Sequence, residues 1–180
     1  TPQDPLCPSV FDAPNNIGDG KQNALIVSLT LPLDRVGIKG GLFRGEGAWR
    51  KSEVTDPTTG DIRRISYQHP FDGEMHFSQD LPRWKGTWGV DWFMTFTERG
   101  YRFNSIDTVD LGNYVELYFE TRPRPDLALR WEFHNLGDRP LTQTSQIYGG
   151  PRGSAPFLYQ DRRDLQVGPY FYFRIRKTFG

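Results

Sequence analysis

Strict alternation of apolar and polar side chains is the feature that most constrains how this chain folds. Successive residues of a β-strand point to opposite sides of a sheet, so alternation gives the strand one apolar and one polar face. In the segment 168–180 one face carries Phe171, Phe173, Ile175 and Phe179, and the other carries Tyr170, Tyr172, Arg174 and Arg176. The apolar face would be core in a soluble sandwich and lipid-facing in an outer-membrane barrel.

The same alternation recurs in six earlier segments: 23–33, 41–51, 70–79, 88–96, 114–121 and 127–134. The strongest is 88–96, where every second residue is large and apolar, from Trp88 to Phe96. The 19 glycines and 14 prolines supply many chain reversals. We therefore predict an all-β chain of about seven antiparallel strands.

The opposite faces of these segments carry charge, with pairs such as Arg44 and Glu46 or Arg130 and Glu132 in one register. A wall this charged needs water, which favours the interior of a membrane barrel. Connection lengths agree: short turns at 34–37, 80–84 and 122–126 alternate with long connections at 52–61, 98–112 and 149–166. Outer-membrane barrels show this asymmetry, with short periplasmic turns and long extracellular loops.

Seven is an odd number, whereas self-contained bacterial barrels use an even number of antiparallel strands. Seven strands alone would leave two open edges that lipid cannot satisfy. The sequence therefore predicts antiparallel transmembrane β-barrel strands that are the carboxyl-terminal part of a larger barrel.

Several other classes are disfavoured by composition and spacing. The 22 basic and 22 acidic residues cancel, which gives no sign of a nucleic-acid partner. His69, His76 and His134 lack metal-site spacing, and the carboxylates recur along strands instead of converging, so we predict no catalytic, metal or cofactor site. Cys7, the single cysteine, is either an idle loop residue or has its disulfide partner outside this sequence.

Five stretches carry a resemblance to a known family. They are HFSQDLPRWKGTWGVDW (76–92), YRFNSIDTVD (101–110), YFETRPRPDLALRWEFHNLGDRP (118–140), YGGPR (148–152) and GPYFYFRIRKTF (168–179). In order and spacing they resemble the end of a TonB-dependent outer-membrane receptor. Asn135, Leu136 and Asp138 match an Asn-Leu-x-Asp element of the penultimate strand, and Phe179 matches the terminal aromatic residue, although Gly180 follows it.

The resemblance implies a 22-stranded barrel closed by an amino-terminal plug, located in the bacterial outer membrane and importing scarce nutrients such as ferric siderophores. It covers residues 23–180, with 1–22 as an extracellular loop segment and the plug and the TonB-interacting segment outside the chain. The implied partners are outer-membrane lipid, the barrel-assembly machinery, the plug and remaining strands, and TonB through the plug. The transported ligand is not identified by any residue.

Three sets of residues receive roles. We predict lipid contact for Leu29, Trp88, Val90, Trp92, Met94, Phe96, Leu117, Leu129 and Trp131. In the connection 149–166, the side chains suited to grip an anionic, aromatic-bearing solute are Arg152, Tyr159, Arg162 and Arg163. By resemblance, Phe171, Phe173, Ile175 and Phe179 form the signal read by the barrel-assembly machinery; lipid contact explains the first three equally well.

Two alternatives stay open. One is a small, complete outer-membrane barrel that acts as an adhesin or structural protein, which requires an additional strand and a periplasmic amino terminus. The other is a soluble β-barrel or sandwich that binds an apolar ligand. The soluble alternative predicts that Trp88, Trp92 and Phe96 are buried.

Overall fold

The computed structural model describes residues 17–179 and arranges them in two antiparallel sheets. The strands are β1 (Gly20–Pro32), β2 (Gly41–Thr55), β3 (Ile62–Arg63), β4 (Phe71–Leu81), β5 (Gly86–Phe93), β6 (Phe96–Tyr101), β7 (Ser105–Leu111), β8 (Tyr114–Arg124), β9 (Leu127–His134), β10 (Pro140–Tyr148), β11 (Phe157–Gln166) and β12 (Tyr170–Lys177). Single 3₁₀ turns, Asp34–Val36 and Pro82–Trp84, follow β1 and β4. The all-β class predicted from the sequence is confirmed.

The larger sheet contains all seven strands predicted from alternation. Its order is β1-β2-β4-β5-β8-β9-β12, with the short β3 paired to β2. Each neighbour along this path is antiparallel. Within the described residues the path does not close on itself, so β1 and β12 are its open edges.

The remaining strands correct the prediction of long loops. Connection 98–112 contains most of β6 and all of β7, while 149–166 contains β11; with β10 they form the smaller sheet, in the order β11-β10-β7-β6. Their segments carry polar residues on both faces, so apolar alternation does not reveal them. Connection 52–61 likewise begins with the end of β2.

The predicted loop segment 1–22 is also too long, because β1 begins at Gly20. Residues 1–16, including Cys7, lie outside the described part of the chain. The role of that cysteine therefore stays a prediction.

The smaller sheet continues the larger one beyond a common line of breaks. The interruptions lie at 94–95 between β5 and β6, 112–113 between β7 and β8, 135–139 between β9 and β10, and 167–169 between β11 and β12. We call these four interruptions the break line. The prediction of an unbroken ladder over 88–96 is therefore wrong, since β5 ends at Phe93 and Phe96 begins β6 in the smaller sheet.

Asn135 and Arg139 together join three of the four interruptions. Its side chain donates to the Gly168 carbonyl at 3.0 Å and accepts from the Arg139 N–H at 2.7 Å, and Arg139 Nε donates to the Gly112 carbonyl at 2.8 Å. Asn135 has a φ of 55° in the left-handed region, which asparagine tolerates better than most residues. The Asn-Leu-x-Asp element thus lies in the break line and not within a strand, contrary to the expectation from the resemblance.

The larger sheet has one apolar and one charged face, as predicted. Across β4, β5 and β8, Phe77 lies opposite Val90 and Val90 opposite Leu117. Aromatic rings continue this face across the later strands, with centroids 5.7 Å apart for Phe119 and Trp131 and 5.2 Å for Trp131 and Phe173. On the other face the corresponding row is Arg44, His76, Asp91 and Glu116.

No second layer packs on the apolar face within the described residues. Among the described residues only Ala48 and Val54 are buried hydrophobic residues, and both lie in the β2 register of the charged face, whereas on the apolar face Leu25 is 61% and Trp92 39% exposed. Trp88 and Phe96 are half-buried. The burial of Trp88, Trp92 and Phe96 expected for a soluble domain is therefore not found.

None of the described helices has the length and apolar character that crossing a bilayer requires.

Candidate functional site

The charged face of the larger sheet is densest around Glu132 on β9. This carboxylate is 5% exposed, and it accepts from Arg130 Nε at 2.6 Å and from Arg174 Nη2 at 3.1 Å. Arg130 also approaches Glu116 and Glu120 at 3.9 and 3.7 Å, and its guanidinium lies 4.1 Å from the centre of the Tyr118 ring. The arginines from β9 and β12 therefore pair with carboxylates from β8 and β9 across three strands.

His134 joins this network from the end of β9. Its Nδ1 lies 2.8 Å from the Tyr114 hydroxyl and 3.1 Å from Glu116 Oε2, and its ring stacks on Tyr170 with centroids 4.9 Å apart. Nε2 is buried without a hydrogen bond, 3.8 Å from Glu132 Oε2. Glu116, Glu132 and His134 thus offer three ligand atoms within 4.8 Å of one another, a grouping that could hold a metal ion.

Histidine spacing along the chain does not reveal this group, because its residues meet across paired strands. A metal ion there would have to compete with the two guanidinium groups already bonded to Glu132. The arrangement therefore serves the sheet as a charge network, which we call the Glu132 network; its members are Glu116, Glu120, Arg130, Glu132, His134 and Arg174.

A second network joins two connections at the end of the smaller sheet. Asp56, in the turn after β2, is 1% exposed and accepts from Arg63 Nε and Arg152 Nη2, both at 2.6 Å, and from the Thr58 N–H at 2.8 Å. Arg152 also donates to the Arg102 carbonyl. The Tyr101 ring packs beneath Arg63, 4.4 Å from its guanidinium carbon. We call Asp56, Arg63 and Arg152 the Asp56 triad.

Two opposing effects set the pKa of the Asp56 carboxyl group. Burial would raise the pKa, but hydrogen bonds from Arg152, the Thr58 N–H and Arg63 outweigh it and lower the pKa from 3.8 to about 2. Asp56 is therefore ionised at neutral pH, and it ties the turn near 56–61 to the turn that carries Arg152.

The predicted ligand-binding residues are not brought together. Arg152 is 6% exposed and committed to Asp56. Arg162 and Arg163 alternate on β11 and so point to opposite faces, where they pair with Asp164 at 3.1 Å and Asp161 at 2.9 Å. Tyr159 shares the face of Arg163 and is exposed. Ligand contact by Tyr159, Arg162 or Arg163 stays a prediction, and Arg152 has a structural partner instead.

Of the nine residues predicted to contact lipid, seven lie in the larger sheet and share its apolar face: Leu29, Trp88, Val90, Trp92, Leu117, Leu129 and Trp131. Met94 and Phe96 instead line a cleft of about 420 Å³ together with Glu46 and Asp72 of the charged face. Phe96 stacks there on His69, with ring centroids 4.0 Å apart. The break at 94–95 separates these two side chains from the ladder, so their placement does not support lipid contact.

The predicted assembly signal divides into two parts. Phe171, Phe173 and Ile175 lie on the apolar face of β12, opposite Phe133, Trp131 and Leu129 of β9. Phe179 lies two residues beyond the end of β12 and is 82% exposed. The final strand therefore ends before the terminal aromatic residue.

Comparison with protein-family models, curated proteins and solved structures found no match to this chain.

Proposed function

We propose that this chain forms the carboxyl-terminal barrel strands of a TonB-dependent outer-membrane receptor, which in its full-length form imports a scarce nutrient such as a ferric siderophore. The observation that carries the membrane part is the larger sheet, whose apolar face is exposed and whose other face is charged. The import part is carried by the sequence resemblance.

The exposed apolar face is too large for a surface meant to face water. Soluble monomers rarely expose contiguous apolar patches above a few hundred Å². Here the patch runs across seven strands, and β1 alone contributes Leu25, Val27, Leu29 and Leu31, each between 43% and 61% exposed. Hydrocarbon would cover this face without cost, while water inside the barrel would solvate the Glu132 network.

Strand lengths and aromatic placement support the same arrangement. Strands of 8 to 15 residues make up the seven-membered path, and a tilted transmembrane strand needs roughly 9–11 residues. Trp49 and Trp92 lie toward the break line, whereas Trp84 lies in the turn at the opposite end and is 66% exposed. Aromatic residues at both ends of an apolar band are typical of outer-membrane barrels.

The proposal gives the sheet a direction. The ends with the short turns, including Asp34–Val36 and Pro82–Trp84, face the periplasm, and the smaller sheet stands outside the cell. The open edges of β1 and β12 pair with the remaining strands of the barrel, because lipid offers no partners for free N–H and C=O groups.

Site-directed spin labelling tests the membrane part. In the receptor reconstituted into vesicles, with Cys7→Ser as background, a label at Val90 should be reached by oxygen and not by a polar nickel chelate. A label at Thr87, on the charged face of the same strand, should show the reverse. Equal access to the chelate at both positions would refute lipid contact, and protease cutting at 122–126 in intact cells would invert the topology.

Uptake measurements test the import part. Cells that lack the gene should take up less of one ferric siderophore from a panel, and the chromosomal copy should restore uptake only when TonB is present. If the cells that lack the gene take up every compound in the panel normally, the import part of the proposal is refuted, even when the barrel is correctly inserted.

A further inference from the structure

A cleft of about 360 Å³ lies between segment 64–70 and β6. The segment is fixed against the strand, because the Tyr67 N–H donates to the Arg99 carbonyl at 2.8 Å and the Tyr101 N–H donates to Ser66 Oγ at 3.2 Å. The cleft is therefore a formed feature of the fold, of a size that small-molecule sites have. We call it the Arg64–Arg99 cleft.

Two unpaired arginines dominate its charge. Arg64 and Arg99 both line the cleft, and neither guanidinium makes an ion pair or hydrogen bond with a described residue. Among residues 17–179, no acidic side chain lines it. Asp110, on the neighbouring strand β7, accepts a hydrogen bond at 2.5 Å from the hydroxyl of Thr97, a lining residue.

The surroundings do not cancel this charge. Tyr101 forms one wall of the cleft, and behind it the Asp56 triad sets two guanidinium groups against one carboxylate. The cleft thus has a local excess of positive charge in a chain whose formal net charge is zero.

Gln68 gives the cleft an acceptor that lacks a hydrogen-bond donor among the described residues. Its Oε1 is buried and has no hydrogen-bond partner, although Gln68 lines the cleft. A buried carbonyl without a donor costs free energy, which a ligand hydroxyl can recover.

From these groups we infer that the Arg64–Arg99 cleft binds a sugar phosphate. The planar forks of Arg64 and Arg99 suit the oxygens of one phosphate group, and a sugar hydroxyl donates to Gln68. The ligand is either a soluble sugar phosphate or the phosphorylated sugar headgroup of an outer-leaflet glycolipid. The soluble source is independent of the proposed function, and the glycolipid source rests on its membrane location.

Calorimetric titration of the purified full-length protein with glucose 6-phosphate tests the soluble source. Arg64→Ala and Arg99→Ala should each weaken binding at least about tenfold, because each removes charge-assisted hydrogen bonds. Arg83→Ala, which removes the same charge from the distant turn Pro82–Trp84, should change nothing. Gln68→Ala should weaken binding of glucose 6-phosphate but leave inorganic phosphate unaffected.

Vesicle binding tests the glycolipid headgroup as the ligand. This test is informative even if glucose 6-phosphate does not bind. The chain should bind vesicles that contain phosphorylated lipopolysaccharide, and Arg64→Ala or dephosphorylation of the lipid should reduce binding. Arg64→Lys, which keeps the charge but not the fork, guards against misfolding and should bind at an intermediate level. Binding to neither source, or equal binding by the wild type and both alanine variants, would overturn the inference.

Discussion

Replacing Asp56 by asparagine isolates the charge of the Asp56 triad with almost no change in shape. Asparagine can still accept from the Thr58 N–H, but its amide then points N–H donors at Arg63 and Arg152. Both guanidinium groups are 10% exposed or less. The substitution therefore leaves two cations close together without their shared counter-ion.

The expected magnitude follows from the lowered pKa. A shift from 3.8 to about 2 corresponds to about 2 kcal/mol of stabilisation at neutral pH, at roughly 1.4 kcal/mol per pKa unit. Removing one partner of a buried ion pair costs about 3–5 kcal/mol in other proteins. We therefore expect Asp56→Asn to favour local opening of the two turns by at least about 2 kcal/mol, or about 30-fold in the open population.

Limited trypsin digestion measures this opening. Trypsin cuts after arginine, and the Arg152 side chain is 6% exposed in the closed triad. Cleavage between Arg152 and Gly153 should accelerate about 30-fold in Asp56→Asn, provided opening is fast relative to cutting. Asp164→Asn is the matched control, because Asp164 pairs with Arg162 on the surface and its loss should leave cleavage unchanged.

The pH dependence of local stability is a second measure of the contribution of the Asp56 charge. Because the pKa of Asp56 is lower in the folded state, its contribution is complete above about pH 4 and is lost as pH falls toward 2. Hydrogen exchange at the Thr58 and Gly60 amides, corrected for intrinsic rates, should show this loss in the wild type and not in Asp56→Asn. If the variant is cut no faster than wild type and keeps the same acid profile, the triad does not hold these turns together.

Three further predictions concern the sheet and its ends. Val90→Arg should reduce the free energy of folding into lipid vesicles by about 2–4 kcal/mol and Thr87→Arg by much less, and equal losses would refute the facing assignment. Phe179→Ala should lower the heat-modifiable barrel in membranes more than Phe173→Ala, since Phe179 lies beyond β12 with little apolar contact to lose; normal assembly of the Phe179 variant would count against a signal. Asn135→Ala should cost about 2 kcal/mol or more in urea unfolding, because it leaves the Gly168 carbonyl and the Arg139 N–H unpaired, and an unchanged midpoint would contradict its role in the break line.

Alternation predicted the seven strands of the larger sheet because each has one apolar face. It missed the smaller sheet for the complementary reason. In β10 and β11 one face pairs Thr144 with Arg162, and the opposite face pairs Ser145 with Asp161. A strand with polar residues on both faces has no hydrophobic period, so its sequence resembles that of a loop.

The two charge networks differ in how far the sequence could have predicted them. The turn at 125–126 pairs Arg124 with Leu127, and a register shift between Thr121 and Arg124 then places Glu132 opposite Tyr118. Pairing extended from the turn without this shift would place Glu132 opposite Phe119 on the apolar face, so the Glu132 network could be predicted only by also matching the apolar and charged faces of the two strands. Asp56 and Arg152 are 96 residues apart and lie in separate connections, so only the folded smaller sheet brings them together.

The break line gives the proposed membrane boundary a physical cause. In the larger sheet, β9 carries an apolar residue at alternate positions from Leu127 to Phe133. In the smaller sheet, β10 carries Gln143 and Ser145 on one face and Thr142 and Thr144 on the other. Hydrocarbon on one side would favour the first pattern, and water on both sides would favour the second. Because the freed groups of Gly112 and Gly168 are then satisfied by Arg139 and Asn135, the interruption can lie at the edge of the bilayer without exposing unpaired backbone to lipid.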